Sequence, residues 1–132
     1  MAAPRTIDLT LEDWILAVCQ LPAASGIPGW ATRSAFHAIV RSPGEVTIVC
    51  YEAAVPPTVR SDKGWRCFSL KGPIPFTETG VVSSLAVPLA EAGVGIFVIS
   101  TFDTDYLLVP GPKLETAKAA LTAAGHRIRQ AG

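Results

Sequence analysis

The sequence predicts an α+β fold whose C-terminal half is a split βαβ sheet carrying two helices. Two apolar stripes at helical spacing support this, Val81/Leu85/Leu89 and Leu114/Ala117/Leu121/Ala124, each closed by a glycine. Short runs of strand length surround them, rich in β-branched residues. The order is strand, helix, strand, strand, helix, strand.

In the N-terminal half, residues 14–21 form a continuous apolar run of strand length, ended by Pro22. A loop with Gly26, Pro28 and Gly29 follows, holding one helical turn near residues 30–34. Residues 36–40 and 46–51 flank Ser42-Pro43-Gly44, the pattern of a β-hairpin. This half shows no long amphipathic helix. Pro56-Pro57 and the polar residues 60–63 form the best boundary, so the expected division is 1–62 and 63–132.

In the second half, residues 65–70 alternate as a half-buried strand, ended by Gly72-Pro73. The first helix starts after Gly80 and stops at Ala92-Gly93. Pro88 within it removes the bond to the Ser84 carbonyl and bends the helix. Residues 95–101 and 106–109 are strands joined by a short polar turn. The second helix follows Pro112 and stops at Gly125, and residues 126–129 make a last strand.

The crossover through the first helix is right-handed, which makes the strands on either side of it parallel. The hairpin then returns the third strand between them, as in the ferredoxin-like fold. The exit of the first strand, the first helix N-terminus and the start of the third strand therefore meet at one sheet edge. Glu78 and Asp105, distant in sequence, become neighbours there.

A helix N-terminus offers unpaired N–H groups and the positive end of a dipole to a carboxylate. Gly80 permits close approach to the backbone. With Glu78 and Asp105 beside it, the edge matches an amino acid: its carboxylate on the N–H groups, its ammonium or cationic side chain on the acids. The same residues also suit a purely structural role. Glu78 then favours the dipole near an N-cap at Thr77 or Thr79, and Asp105 bonds its own turn.

Composition narrows the function. The 132 residues are 49% hydrophobic and 17% charged, and eleven Lys+Arg cancel eleven Asp+Glu. Disorder is excluded, and the basic excess that neutralises phosphates is absent, so no nucleic-acid partner is expected. Low charge makes self-association a natural expectation. The longest apolar region, 80–99, contains Pro88 and Glu91 and reads as helix, turn and strand, so no membrane partner is expected. Acids precede the first apolar run, unlike a signal peptide. The expected location is cytoplasmic. Cys19, Cys50 and Cys67 form no CxxC or Cys/His cluster and read as buried reduced thiols.

The motifs Gly64-Trp65-Arg66, Gly72-Pro73, Phe76-Thr77-Glu78-Thr79-Gly80, Pro88-Leu89-Ala90-Glu91-Ala92-Gly93 and Ser100-Thr101-Phe102-Asp103-Thr104-Asp105-Tyr106 resemble small paired ACT-domain proteins. These are relatives of the CASTOR cytosolic arginine sensors and, more remotely, of the regulatory domains of aspartate kinase. The resemblance implies ferredoxin-like βαββαβ (ACT) units, two in tandem, with the N-terminal one reduced or degenerate. It also implies non-enzymatic amino-acid binding at Glu78, Thr79, Gly80, Val81, Thr101, Asp103 and Asp105, without a cofactor or metal. The sensors have four units where this chain has about two. The missing pocket wall then comes from the N-terminal half or from a second subunit, implying a homodimer acting on a regulated protein partner. The alternative is a structural or dimerisation module of the same fold without ligand.

No other motif competes. His37 and His126 lack a nucleophile in a known arrangement, and Trp14, Trp30 and Trp65 suit core or interface anchoring. Gly93-Val94-Gly95 follows a helix without the Lys-Ser/Thr of a phosphate loop. Ser83 and Ser84 lie within a helix, outside any nucleophile elbow. Charge is uneven along the chain. Between Lys71 and Lys113 lie four acids and no Lys, Arg or His, so that segment carries −4 and the remainder +4. Three of those acids belong to the expected ligand edge, which favours a cationic or ammonium-bearing ligand.

Overall fold

A computed structural model describes residues 5–74 and 79–132. In chain order the strands and α-helices are β1 (Asp8–Pro22), β2 (Ala38–Arg41), β3 (Glu45–Tyr51), β4 (Arg60–Leu70), α1 (Val81–Glu91), β5 (Phe97–Ser100), β6 (Asp105–Pro110), α2 (Leu114–Ala123) and β7 (Arg127–Gln130). Short 3-10 turns occupy Gly29–Thr32, Glu52–Ala54 and Gly111–Lys113. The chain forms two compact units, one of residues up to Asp13 with Arg66–Gly132, the other Trp14–Trp65.

This division differs from the single boundary expected at 62/63, for two reasons. Residues 60–63 lie inside β4, where their polarity marks a largely exposed strand end and not a linker. β1 begins at Asp8, because Ile7, Leu9 and Leu11 alternate with Asp8, Thr10 and Glu12. That alternation of period two is a strand signal. Its first part therefore belongs with the C-terminal elements.

In the first unit the strand order is β7–β1–β4–β6–β5. The third strand of the repeat, β6, lies between β4 and β5, as the topology requires. The early part of β1 stands between β4 and β7, pairing parallel with β7 from Asp8↔Arg127 to Leu11↔Gln130. Both helices pack on one sheet face. Leu85 and Leu89 of α1 meet Ala117 and Leu121 of α2 over Leu9, Leu11, Phe68, Leu107 and Val109. Burying each large aliphatic side chain contributes roughly 1.5–3 kcal/mol.

The helix stops share one device. Gly93 and Gly125 take positive φ (75° and 96°), and the next N–H groups, of Val94 and His126, donate back to Leu89 O and Leu121 O. These are the six-to-one bonds of a Schellman motif. The second stop places His126, 4% exposed, beneath α1. Pro88 has no N–H for the Ser84 carbonyl, and the His126 ring fills that vacancy with its Nε2, 2.8 Å away. Its Nδ1 accepts the Ile7 N–H at 3.1 Å. The two contacts select the Nε2–H tautomer. One buried imidazole thus joins β1, α1 and the end of α2.

In the second unit the order is β2–β3–β1–β4. The expected hairpin is β2–β3, antiparallel, with Ser42 N–H donating to Glu45 O. The core comprises Ala17, Cys19, Ala31, Val46, Ile48, Cys50 and Val55. Arg41 donates to Ala23 O and Ser25 O, both at 2.6 Å, tying down the loop after β1. His37 is absorbed structurally, its Nδ1 donating to Ser34 O at 2.8 Å. Trp14 stacks on Phe36 with ring centroids 4.9 Å apart.

All three cysteines are free and buried. Burial pushes the Cys19 and Cys67 thiols up to about 12 and raises Cys50. The thiolate is the reactive form, so these groups are inert at neutral pH. A colorimetric disulfide reagent should find no reactive thiol in the native protein and three after denaturation. Rapid native labelling of any one would contradict the packing.

Candidate ligand-binding site

The site is built from the α1 N-terminus upward. Gly80 is the N-cap, with φ 79° and ψ 2°, a left-handed conformation that costs glycine little. Among the described residues no side chain caps this helix. The Gly80 carbonyl accepts the Ser84 N–H at 3.0 Å and the Ser83 hydroxyl at 3.2 Å. The first-turn N–H groups point out of the helix end, where an anion satisfies them. Val81 buries its side chain in the core and so fixes that end. Thr79 is exposed, and its carbonyl accepts from Arg5 at 2.9 Å. Glu78 lies outside the described residues.

The second element is the β5–β6 turn. Ser100 and Asp105 are register partners, and the Ser100 hydroxyl donates to Asp105 Oδ1. Thr101 closes the turn: its N–H donates to Thr104 O at 2.8 Å, and its Oγ1 accepts the Thr104 N–H at 3.2 Å. Asp103 is exposed and Asp105 half-buried. The turn is not wholly polar as read from sequence, for Phe102 stands 82% exposed at its tip.

The residues at and just after the end of β4 meet this turn, while the expected meeting of Glu78 with Asp105 lies outside the described residues. Ile74 N–H donates to Asp103 O, and Thr104 Oγ1 donates to Leu70 O at 3.1 Å. A Cβ on Gly72 would lie 3.1 Å from both Asp103 O and Thr104 Cβ, so the close approach requires glycine or a shift. Thr101, Asp103 and Asp105 therefore share one turn and Thr79, Gly80 and Val81 another. No hydrogen bond among the described residues joins the two groups directly; the 72–74 segment contacts the first.

Sequence reasoning missed the cations. A cavity of about 170 Å³ lies against Val81 and Ile74, lined also by Arg5, Asp8 and Lys71. Lys71 bounds the acidic segment and Arg5 lies far upstream of it, so neither adds to the charge of that segment. Only the pairing of β1 with β4 brings them to the helix end. Among the described residues no group of three or more His, Cys, Asp or Glu could hold a metal ion. No helix there is long and apolar enough to cross a membrane.

An ACT domain model matches residues 60–123, and a separate N-terminal-domain model matches residues 15–58. The cytosolic arginine sensor for mTORC1 subunit 1 of Bos taurus is 36% identical over 96 residues, covering 67% of this chain and 29% of the sensor. The Rattus norvegicus protein of that name is 35% identical over 111 residues, covering 76% and 33%. The chain thus spans about a third of these relatives' length. Protein Atu0741 from Agrobacterium tumefaciens superposes with TM-score 0.91 at 41% identity, covering 97% of this chain and 96% of that one. The regulatory subunit of aspartate kinase from Thermus thermophilus superposes with TM-score 0.62 at 14% identity, covering 93% and 99%, a likeness of fold.

Proposed function

Because the chain belongs to the ACT-domain family, we propose that it is a non-enzymatic regulatory protein that binds a free amino acid. The observation that carries this reading is the α1 N-terminus opening at Gly80, which no side chain among the described residues caps. The α-carboxylate takes the N–H groups at Val81. The ammonium or a cationic side chain takes Asp105, with Glu78 as its second acid and Thr79, Thr101 and Asp103 at the rim. The name of the sensor relatives supports this ligand class. Residues 15–58 are proposed as the reduced partner of the ACT domain in a tandem pair. A homodimer completes the pocket, with exposed Phe102 as an apolar contact beside it. Ligand binding then biases two assembly states by differential affinity, and a cytoplasmic protein partner reads the difference.

A second reading, an assembly module without ligand, draws on the turn itself. The Thr101 hydroxyl and one oxygen of Asp105 are already engaged within it. Titration calorimetry against the twenty amino acids separates the readings. Saturable heat is expected with at least one of them, a basic residue foremost. Heat from none leaves the assembly module and overturns the sensor.

A further inference from the structure

The site above leaves unused the sheet face turned away from the helices. Ile7, just before β1, and Leu9 and Leu11 within it enter the core, so Asp8, Thr10 and Glu12 face the opposite way. With Ser69, Lys71, Arg127 and Arg129 they line an open cleft of about 600 Å³, a size common among small-molecule sites. Register sets the charges in rows. Asp8 stands opposite Arg127 and Thr10 opposite Arg129, while Lys71 adjoins Asp8 through its N–H on Asp8 O at 3.0 Å.

The charges do not cancel where they stand. Arg127 forks onto Asp8, with Nε on Oδ1 at 2.6 Å and a terminal nitrogen on Oδ2 at 3.2 Å. Glu12 accepts the Ser69 hydroxyl at 2.7 Å. Arg129 spends only its Nε, on Thr10 Oγ1 at 3.1 Å, and the Lys71 ammonium has no hydrogen bond or ion pair among the described residues. Asp8 alone is faced by three cations. The Arg127 hydrogen bond first, then the charges of Arg127, Lys71 and Arg129, hold its carboxyl below the usual range. Arg127 suffices to neutralise it. Lys71 and Arg129 remain, on either side of the Thr10 and Ser69 hydroxyls, with Glu12 the other acid lining the cleft among the described residues.

We propose that this cleft binds a small organic anion of at least two negative charges, a dicarboxylate or a phosphate ester, held by Lys71 and Arg129. Two cations set apart by hydroxyls suit two anionic groups or one doubly charged one, and the volume admits a carbon skeleton between them. Asp8 and Lys71 also line the cavity beside Val81, so the two regions adjoin; Thr10, Ser69 and Arg129 line this cleft and not that cavity, and their response distinguishes the two proposals.

The test is a titration of ¹⁵N-labelled protein with succinate and with glycerol phosphate, at constant ionic strength, with acetate as the monovalent control. Saturable shifts are expected at the Thr10, Ser69, Lys71 and Arg129 amides with at least one of the two dianions, and none that saturate with acetate. Which dianion binds identifies the class. Lys71 and Arg129 are exposed, so Lys71→Gln/Arg129→Gln should fold normally and weaken binding by about tenfold or more, as lost charged hydrogen bonds do. Lys71→Arg should retain binding. Shifts that fail to saturate, that scatter over the surface, or that persist at equal affinity in the double variant overturn the proposal.

Discussion

Replacing His126 with alanine is expected to destabilise the protein by about 2–4 kcal/mol, because a buried and a part-buried backbone group lose their partner at roughly 1–3 kcal/mol for the buried one and less for the other, and a cavity adds to the cost. The groups are the Ile7 N–H and the Ser84 carbonyl. Urea unfolding should show the midpoint falling with little change in slope. A loss below about 1 kcal/mol would mean water replaces the ring without difficulty. The proline offers an internal control. Pro88→Ala restores an N–H four residues beyond Ser84, which can satisfy that carbonyl within the helix. The loss caused by His126→Ala should therefore shrink by about 1–2 kcal/mol when measured in the Pro88→Ala background. Coupling of zero would show that the imidazole does not stand in for the helical bond that Pro88 removes.

That arrangement also shows where the sequence could be read and where it could not. The α1 stripe of Val81, Leu85 and Leu89 is buried as its spacing predicts, and both glycine stops are where the pattern places them. Local periodicity determines these features, so local reading finds them. Pro88 announces a missing hydrogen bond, but nothing local says that a histidine 38 positions later supplies it. The strand at residues 8–13 was legible from alternation alone. Asp8 and Glu12 form most of the polar half of that period-two pattern, so charge and strand signal coincide there. Its location between β4 and β7 was not legible, because register between distant strands leaves no trace in either one. The same holds at the candidate site. The turn at Thr101, Asp103 and Asp105 follows from strand order. Arg5 and Lys71 enter through the pairing of β1, which reverses the electrostatic reading on one side of the helix end. An acidic rim became an edge with both signs.

This mixed edge makes the charge of Asp105 the most informative single variable in the proposed site. Asp105→Asn keeps an oxygen to accept the Ser100 hydroxyl, so the β5–β6 turn and its register should survive. What it removes is the negative charge that an ammonium or guanidinium would meet. A charged hydrogen bond contributes about 1.5–3 kcal/mol, so affinity for the amino acid identified by calorimetry should fall roughly 10- to 150-fold. The melting temperature without ligand should be nearly unchanged, since Asp105 makes no ion pair among the described residues. Asp103→Asn gives the contrast: its carboxylate is exposed and its structural bond runs through the backbone carbonyl, so screening should limit its effect to a few-fold. Equal losses from both would indicate long-range attraction to a generally acidic surface. Unchanged affinity in Asp105→Asn would remove the residue from the site, and the ligand would then have to be sought among the cations near Val81.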